Sequence, residues 1–273
     1  MKTKSTIIFL LILIPIFVHA QKNITLSYNL KKGHQYSLAI KNNQTITMDM
    51  MGQSMTLKQI SETVQEITIA DVDESNNITL NLTYRKMKLN QNAMGMEINY
   101  DSEKPDESSN PMVQQVAASL NEIIGKTVSL EIDRFGNAIK NNMSEMLDNN
   151  QSLAGFETGM LNVYSDKPVT IGESWVVSLK PDPQSDFVIN STYKLEGIKG
   201  KTATVSFEGA ITGTEMKGQK ASIKGTMIGR SQVDTQTGWV LSSTLNQVIE
   251  MEMEQEGTKI PMKMNSVIEM NSK

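Results

Sequence analysis

Cysteine is absent from the 273 residues, so the chain has no disulfide framework, no thiolate nucleophile and no cysteine for lipid attachment. Histidine is almost absent too. His19 falls in the leader described below, and His34 stands alone beside Gly33 at a strand start, where it reads as a surface residue. Structural zinc, histidine-based triads and metalloprotease chemistry are excluded with them. Positive charge is in deficit: 26 Lys+Arg face 30 Asp+Glu, and without Lys2 and Lys4 the balance is 24 against 30, a net of −6. An acidic chain without a basic patch is suited neither to nucleic acid nor to an anionic membrane surface. Long apolar runs are missing as well. The longest, Ile7 to Val18, is twelve residues behind Lys2 and Lys4, too short to span a bilayer, and Val18-His19-Ala20 offers a cleavage site. Residues 1–20 are therefore expected to be a secretory signal peptide. The mature chain, 21–273, is expected to be exported to a periplasmic or extracellular compartment, with no transmembrane segment.

What the chain has in excess is methionine. Beyond the leader it carries eighteen Met against sixteen Leu, and Met-x-Met recurs at 48/50, 94/96, 251/253 and 262/264. A spacing of two puts each pair on one face of a strand. The closing stretch shows the pattern best. Trp239, Leu241, Leu245, Ile249, Met251 and Met253 are odd, whereas after Glu256-Gly257 the apolar residues Ile260, Met262, Met264, Ile268 and Met270 are even. A two-residue turn opposes Met253 to Ile260, Met251 to Met262, Ile249 to Met264 and Leu245 to Ile268. The other face then pairs Glu254 with Lys259 and Glu250 with Lys263. Both faces agree on one register, and a slip of one residue would ruin both.

In chain order, Leu26, Tyr28 and Leu30 alternate as a short strand, Lys31-Lys32-Gly33 turns, and a longer strand starts at Tyr36. A loop at Gly52-Gln53 opposes Met50 to Met55 and Met48 to Leu57. The apolar parity shift between Ile60/Val64 and Ile67/Ile69 predicts a bulge near 61–65, and parity shifts again at Met87. Asn110, Pro111 and Gly125 bracket one helix with an apolar stripe over 113–124, and Met143 to Leu147 reads as a short second helix. Residues 151–166 are the least patterned. A second series begins at Gly172, where Gly172-x-x-Trp175 echoes Gly33-x-x-Tyr36. The expected fold is mainly β: one antiparallel coiled sheet or half-barrel of two meander halves, with one or two helices packed on it. It forms a single β-rich domain over 21–273, with halves 21–104 and 167–273 joined by the helical segment 105–166. Strands such as 239–255 are too long for a flat sandwich.

The segments Lys31-Lys32-Gly33-x-x-Tyr36, Met50-Met51-Gly52-Gln53, Met94-Gly95-Met96, Tyr100-Asp101-Ser102 and Lys167-Pro168-Val-x-Ile-Gly172-Glu-Ser-Trp175 resemble an uncharacterised family of exported bacterial envelope proteins, a domain of unknown function. The resemblance implies an extracytoplasmic β-rich domain and transfers no catalytic residue. At the level of fold alone, the half-barrel carriers of lipids and lipoproteins are a further analogy.

The methionine faces admit three readings. One is adaptable core packing, one is a deformable cavity for an apolar or lipid-like ligand, and one is thioether ligation of Cu(I), which lacks the usual His or Cys partner. The ligand reading names Met48, Met50, Met94, Met96, Trp239, Met251, Met253, Met262 and Met264, with no metal and no cofactor. Asp71-Val-Asp73-Glu-Ser75 starts like a calcium loop but has Leu82 where the closing Glu belongs, so it reads as a polar turn. No carboxylate pair sits in a context for acid–base work, and an enzyme is not expected. The functional expectation is an extracytoplasmic binding or carrier module for a hydrophobic ligand. The alternative is a structural or protein-interaction module of the cell envelope without a small ligand.

Overall fold

The structure, a computed structural model, describes residues 23–50, 53–93, 95–104, 110–141, 162–180, 186–216, 219–255 and 258–273. The expected leader, the short helix over 143–147, most of the stretch 151–166, Met94 and the turn residues Gly52, Gly218, Glu256 and Gly257 lie outside those residues. The first half contributes β1 (Gln35–Met50), β2 (Gln53–Val72), β3 (Ile78–Ala93), β4 (Met96–Asp101), α1 (Pro111–Asn121), β5 (Thr127–Ile132) and β6 (Ala138–Asn141). The second contributes β7 (Ser174–Leu179), β8 (Val188–Lys199), β9 (Thr202–Met216), β10 (Gln219–Asp234), β11 (Val240–Gln255) and β12 (Thr258–Ser272). They form one antiparallel open sheet in the order β6-β5-β3-β2-β1-β12-β11-β10-β9-β8-β7, with β4 added beside β3. Each half is a meander, and the halves join where β1 pairs β12.

The two halves start alike. Gly33 and Gly172 both have positive φ, at 84° and 91°. Gly33 N–H donates to Ile69 O and Ile69 N–H returns to His34 O; Gly172 N–H donates to Leu195 O and Leu195 N–H returns to Glu173 O. The echo read from sequence is thus a repeated strand-entry device. It needs the left-handed conformation that glycine adopts without a Cβ penalty.

One face of the sheet is concave and buried. Its curvature has a local cause on β9 and β10, where Gly209, Gly213, Gly225 and Gly229 occupy inward positions. A Cβ at Gly229 would stand 2.1 Å from Phe207 Cζ, and one at Gly225 2.8 Å from Val248 O. Glycine there lets large neighbours (Phe207, Ile211, Ile249) lie across the strand, so the sheet bends inward.

The concavity is filled at one end, the base, where β1 begins and β12 ends. Two irregular segments, 23–30 and 162–170, enter it and pair once, at Ile24 and Val169. The first is not the strand expected. Its alternation of buried Leu26, Tyr28 and Leu30 is real, but its backbone docks on turns, Tyr28 N–H on Arg134 O at 2.7 Å and Asn29 N–H on Thr237 O at 2.9 Å. An extended segment sandwiched between walls must alternate as a strand does. Tyr28 Oη donates to Asn162 O, Trp175 Nε1 to Val163 O and Tyr164 Oη to Gly238 O, which ties both segments to the sheet.

Two parity breaks in the sequence have different structural origins. Val64 faces Lys86 and Gln65 faces Tyr84, so Arg85 is the extra residue, on β3; it makes a bidentate pair with Glu66 at 3.0 and 3.1 Å. Strand β2 itself runs in unbroken register against β1. The expected bulge at 61–65 is corrected: Ile60 and Val64 point outward and polar Ser61, Thr63 and Gln65 point inward. The closing hairpin has the predicted register at every pair. The first hairpin does not, since Met48 faces Met55 and Leu57 faces Ile46, one rung from expectation. Leu241 sits at an irregularity between β10 and β11 and is exposed, while Val240 takes the inward place.

Helix α1 packs Ala117 and Leu120 on Tyr84, Met87 and Leu89 of β3 and Tyr100 of β4, the buried face of the sheet. The Asp73–Asn77 turn needs no cation: Asp73 Oδ1 accepts the N–H groups of Ser75 and Asn77 at 2.8 Å. Asp133 does the same for Phe135 and Asn137 in the turn predicted at 133–136.

Burial at the base raises the phenols of Tyr28, Tyr164 and Tyr193 above their ordinary 10.0, that of Tyr193 to about 12. A folded value raised above the unfolded one leaves the contribution intact below pH 10, and it is lost as pH rises towards 12. For Tyr193 alone this amounts to about 2–3 kcal/mol. The urea midpoint should therefore fall between those pH values, with phenolate absorbance from these tyrosines appearing together with unfolding. Their titration at ordinary pH with the fold intact would contradict the packing of the base.

Candidate functional site

Cross-strand rungs on the concave face change character from base to rim. At the base the rungs are apolar and closed by the two irregular segments. The middle rungs mix buried polar residues with apolar ones such as Leu245 and Ile268. Gln44, Ser266 and Gln247 face one another across β1, β12 and β11, and Ser61 pairs with Asn42 on β2 and β1. All five are buried, as are Thr63, Gln65, Ser231, Ser243 and Asn162. Asn162, on the second filling segment, accepts a hydrogen bond from Ser231 Oγ, which lies 3.0 Å from Ser243 Oγ.

Towards the rim the rungs become apolar again. One joins Leu57, Ile46, Met264 and Ile249; the next joins Met55, Met48, Met262 and Met251; the last pairs Ile260 with Met253. Except for Ile249 these side chains are half-buried, although they lie on the face that is fully buried at the base. The reason is geometric. The buried side chains of the two filling segments join the base cluster and do not reach these rungs, which are covered only from the side. A contiguous, half-exposed apolar surface framed by polar sequence is the usual mark of a binding surface. Ile189, Ile211, Ala221 and Ile223 of the second-half wall form one buried cluster with Ile249, and Phe187, Met227 and one side of Met251, Met253 and Met264 pack against it.

Five of the nine residues named from sequence meet on this surface: Met48, Met251, Met253, Met262 and Met264. Met50 ends β1 opposite Gln53. Met96 opens β4 and is 38% exposed, away from the others. Met94 is outside the described residues. Trp239 lies at the base, 3% exposed, stacked on Tyr36 with ring centroids 4.0 Å apart and donating from Nε1 to Ser272 Oγ. The sequence reading missed Met55, Leu57, Ile46 and Ile260 on the same rungs, although their alternation marks them. It also missed the buried polar rungs. Their signal was the parity break at Ile60/Val64, because inward polar residues in a strand mimic a shift of face.

Charge stays outside. Lys263 and Glu250 pair at 2.8 Å, and Lys259 with Glu252 at 2.6 Å, both on the convex face; the Lys263 hydrogen bond holds the Glu250 carboxyl below its ordinary value. Among the described residues no group of three His, Cys, Asp or Glu converges as metal ligands would. Nor is any described helix long and apolar enough to cross a membrane. Among the described residues, those buried on this face are uncharged, so its surface suits an apolar molecule or a neutral hydrogen-bonding one.

A sequence profile described as "Family of unknown function (DUF6263)" matches residues 75–152 and 137–240. No curated protein matches the chain. Among solved structures, one of lipovitellin, described as showing lipid–protein interactions, is similar over 89% of this chain and 25% of its own, with a TM-score of 0.53 and 9% identity. This chain thus spans a quarter of the lipovitellin chain, and the likeness is one of fold. OpdQ of Pseudomonas aeruginosa aligns over 89% of this chain and 99% of its own at 8% identity and a TM-score of 0.27. The translocator domain of the autotransporter NalP from Neisseria meningitidis aligns over 89% of each chain at 9% identity and a TM-score of 0.24.

Proposed function

Because the chain belongs to the DUF6263 family, whose function is unknown, we propose a function from the cleft: an extracytoplasmic module that binds and carries a hydrophobic, lipid-like ligand. The observation that carries this is the change in burial along one face. Met48, Met251, Met253, Met262 and Met264 continue the inward face of the core yet remain half-exposed at the rim. Leaving several such side chains wet forfeits about 1.5–3 kcal/mol each on full burial, which acyl chains between the walls would recover. Thioethers suit this role because they adapt to irregular, mobile apolar shapes. The lipid–protein interactions for which the lipovitellin structure is described support the reading from a protein of like fold. On this reading the chain binds and does no chemistry, and export to the envelope supplies the lipid.

Purification from the native host followed by lipid extraction and intact mass spectrometry tests it. Bound lipid is expected. In the paired variant Met251→Gln with Met262→Gln, retained lipid should fall about tenfold or more, with little change in thermal midpoint because both side chains are half-exposed. A ligand-free mass spectrum would sink the proposal.

One observation favours the alternative of a protein-interaction module. Ile60, Val267, Ile228 and Val176 fall on a single convex rung, alternating with Asn43, Asn246 and the Glu208–Thr192 pair, and Val176 on edge strand β7 is 75% exposed. Under that reading the native preparation holds a protein partner and no lipid.

A further inference from the structure

The polar rungs make a second demand on the ligand. Ser61, Thr63 and Gln65 occupy alternate positions of β2 on the concave face, and their exposure is 1%, 2% and 0%. Ser61 Oγ, Thr63 Oγ1 and both amide atoms of Gln65 have no hydrogen-bond partner among the described residues. The same is true of Asn162 Nδ2, on the filling segment that ends the apolar base. Folded chains leave few buried polar groups unmatched, because each has given up its water for nothing. Four of these five atoms lie on alternate residues of one strand, β2, opposite Leu89, Met87 and Tyr84 of β3.

We propose that these groups are the headgroup subsite of the cleft, and that the headgroup they take is uncharged: the hydroxyl and ester oxygens of an acylglycerol-type lipid. This rests on the carrier reading above and names its ligand class. Gln65 offers both a donor and an acceptor, the two hydroxyls offer either, and Asn162 Nδ2 donates, which matches a headgroup of mixed hydroxyls and carbonyls. Ser61 to Gln65 spans about 13 Å at the usual strand rise, comparable to the length of a glycerol with its ester linkages. Charge argues the same way. The ionised neighbours on β2 point to the other face, Glu62 towards Lys41 at 3.1 Å and Glu66 towards Arg85 at 3.0 Å. No Lys, Arg, His, Asp or Glu is among the buried residues of the described concave face. A phosphate or carboxylate placed there would lose its hydration without a counter-charge, whereas a neutral headgroup loses only what the amide and hydroxyls return.

The experiment uses the full mature chain, stripped of lipid and exposed to phosphatidylcholine vesicles doped with dioleoylglycerol, dioleoylphosphatidic acid or hexadecane, with bound molecules counted by mass spectrometry. Dioleoylglycerol should be retained about tenfold over the phosphatidic acid of identical chains. The variants Thr63→Val and Gln65→Leu, alone and together, should lower dioleoylglycerol retention by a similar factor and leave hexadecane uptake unchanged. Their thermal midpoints should hold or rise, since each removes an unmatched buried polar group. Equal retention of the two lipids, or undiminished dioleoylglycerol in the folded variants, would overturn the subsite while the carrier reading stands. Falling midpoints with dioleoylglycerol retention unchanged would overturn it too, assigning the polar rungs to ordered water. Failure to take up any of the three molecules would remove both proposals together.

Discussion

Gly238→Ala is expected to destabilise the protein by about 4 kcal/mol, a large share of the roughly 5–15 kcal/mol that keeps an ordinary domain folded. Two causes add. Gly238 has φ +68°, a conformation that costs an alanine about 1–2 kcal/mol. Its Cβ would also stand 2.2 Å from Ser27 O and 2.9 Å from Tyr28 N, atoms of the first filling segment. Backbone cannot swing away as a side-chain tip can, so the segment must shift, and overpacking of this kind costs about 1–3 kcal/mol more. The shift spreads, because Gly238 O accepts the Tyr164 hydroxyl at 2.6 Å and so also anchors the second segment. Gly33→Ala is the internal control. Its φ of +84° carries the same strain, but nothing lies within 4 Å of the added carbon. Urea unfolding should show about 1–2 kcal/mol for Gly33→Ala and more than twice that for Gly238→Ala. Equal losses would mean that the segment 23–30 does not pass against the turn at 234–238.

The closing hairpin was legible because two independent codes gave one answer. Alternating Met and Ile set the inner face, Glu and Lys set the outer, and only one register satisfies both. The first hairpin lacked the second code. Moving its loop by one residue keeps Met48 and Met55 inside, so face was readable and rung was not. On β2, Ser61, Thr63 and Gln65 defeated the rule that inward means apolar, and the break they cause was taken for a bulge that lies at Arg85 on the neighbouring strand. Segment 162–170 was invisible because Val163, Tyr164 and Val169 are too few and too uneven to set a period. The half of the cleft wall that repeats every second residue could be read. The polar floor could not, since a polar side chain buried by tertiary packing looks like one in water.

Trp239 is where sequence reasoning and packing part most clearly, and its substitution gives the second large effect. Trp239→Ala is expected to cost about 3–5 kcal/mol, as removal of a buried aromatic usually does. The ring lies at 18° to Tyr36 of β1, ring centroids 4.0 Å apart, and its Nε1 donates to Ser272 of β12 at 2.6 Å. It therefore binds the turn before β11 to the seam where the two halves of the sheet meet, and a cavity there loosens β1, β12 and β11 together. Trp239→Phe keeps an aromatic face for Tyr36 and loses the hydrogen bond and part of the volume. About 1–2 kcal/mol should be lost, within the range for one hydrogen bond and a partly refilled site. Lipid retention separates a packing role from a ligand contact. If Trp239 floors the cleft, Trp239→Phe weakens lipid binding as strongly as the paired Met251 and Met262 substitution. If its work is confined to the base, the folded variant retains lipid as the unaltered protein does, and the rim methionines alone set affinity. The distance in rungs between Trp239 and Met251 favours the second outcome, since the rungs of Ser243, Leu245, Gln247 and Ile249 lie between the two.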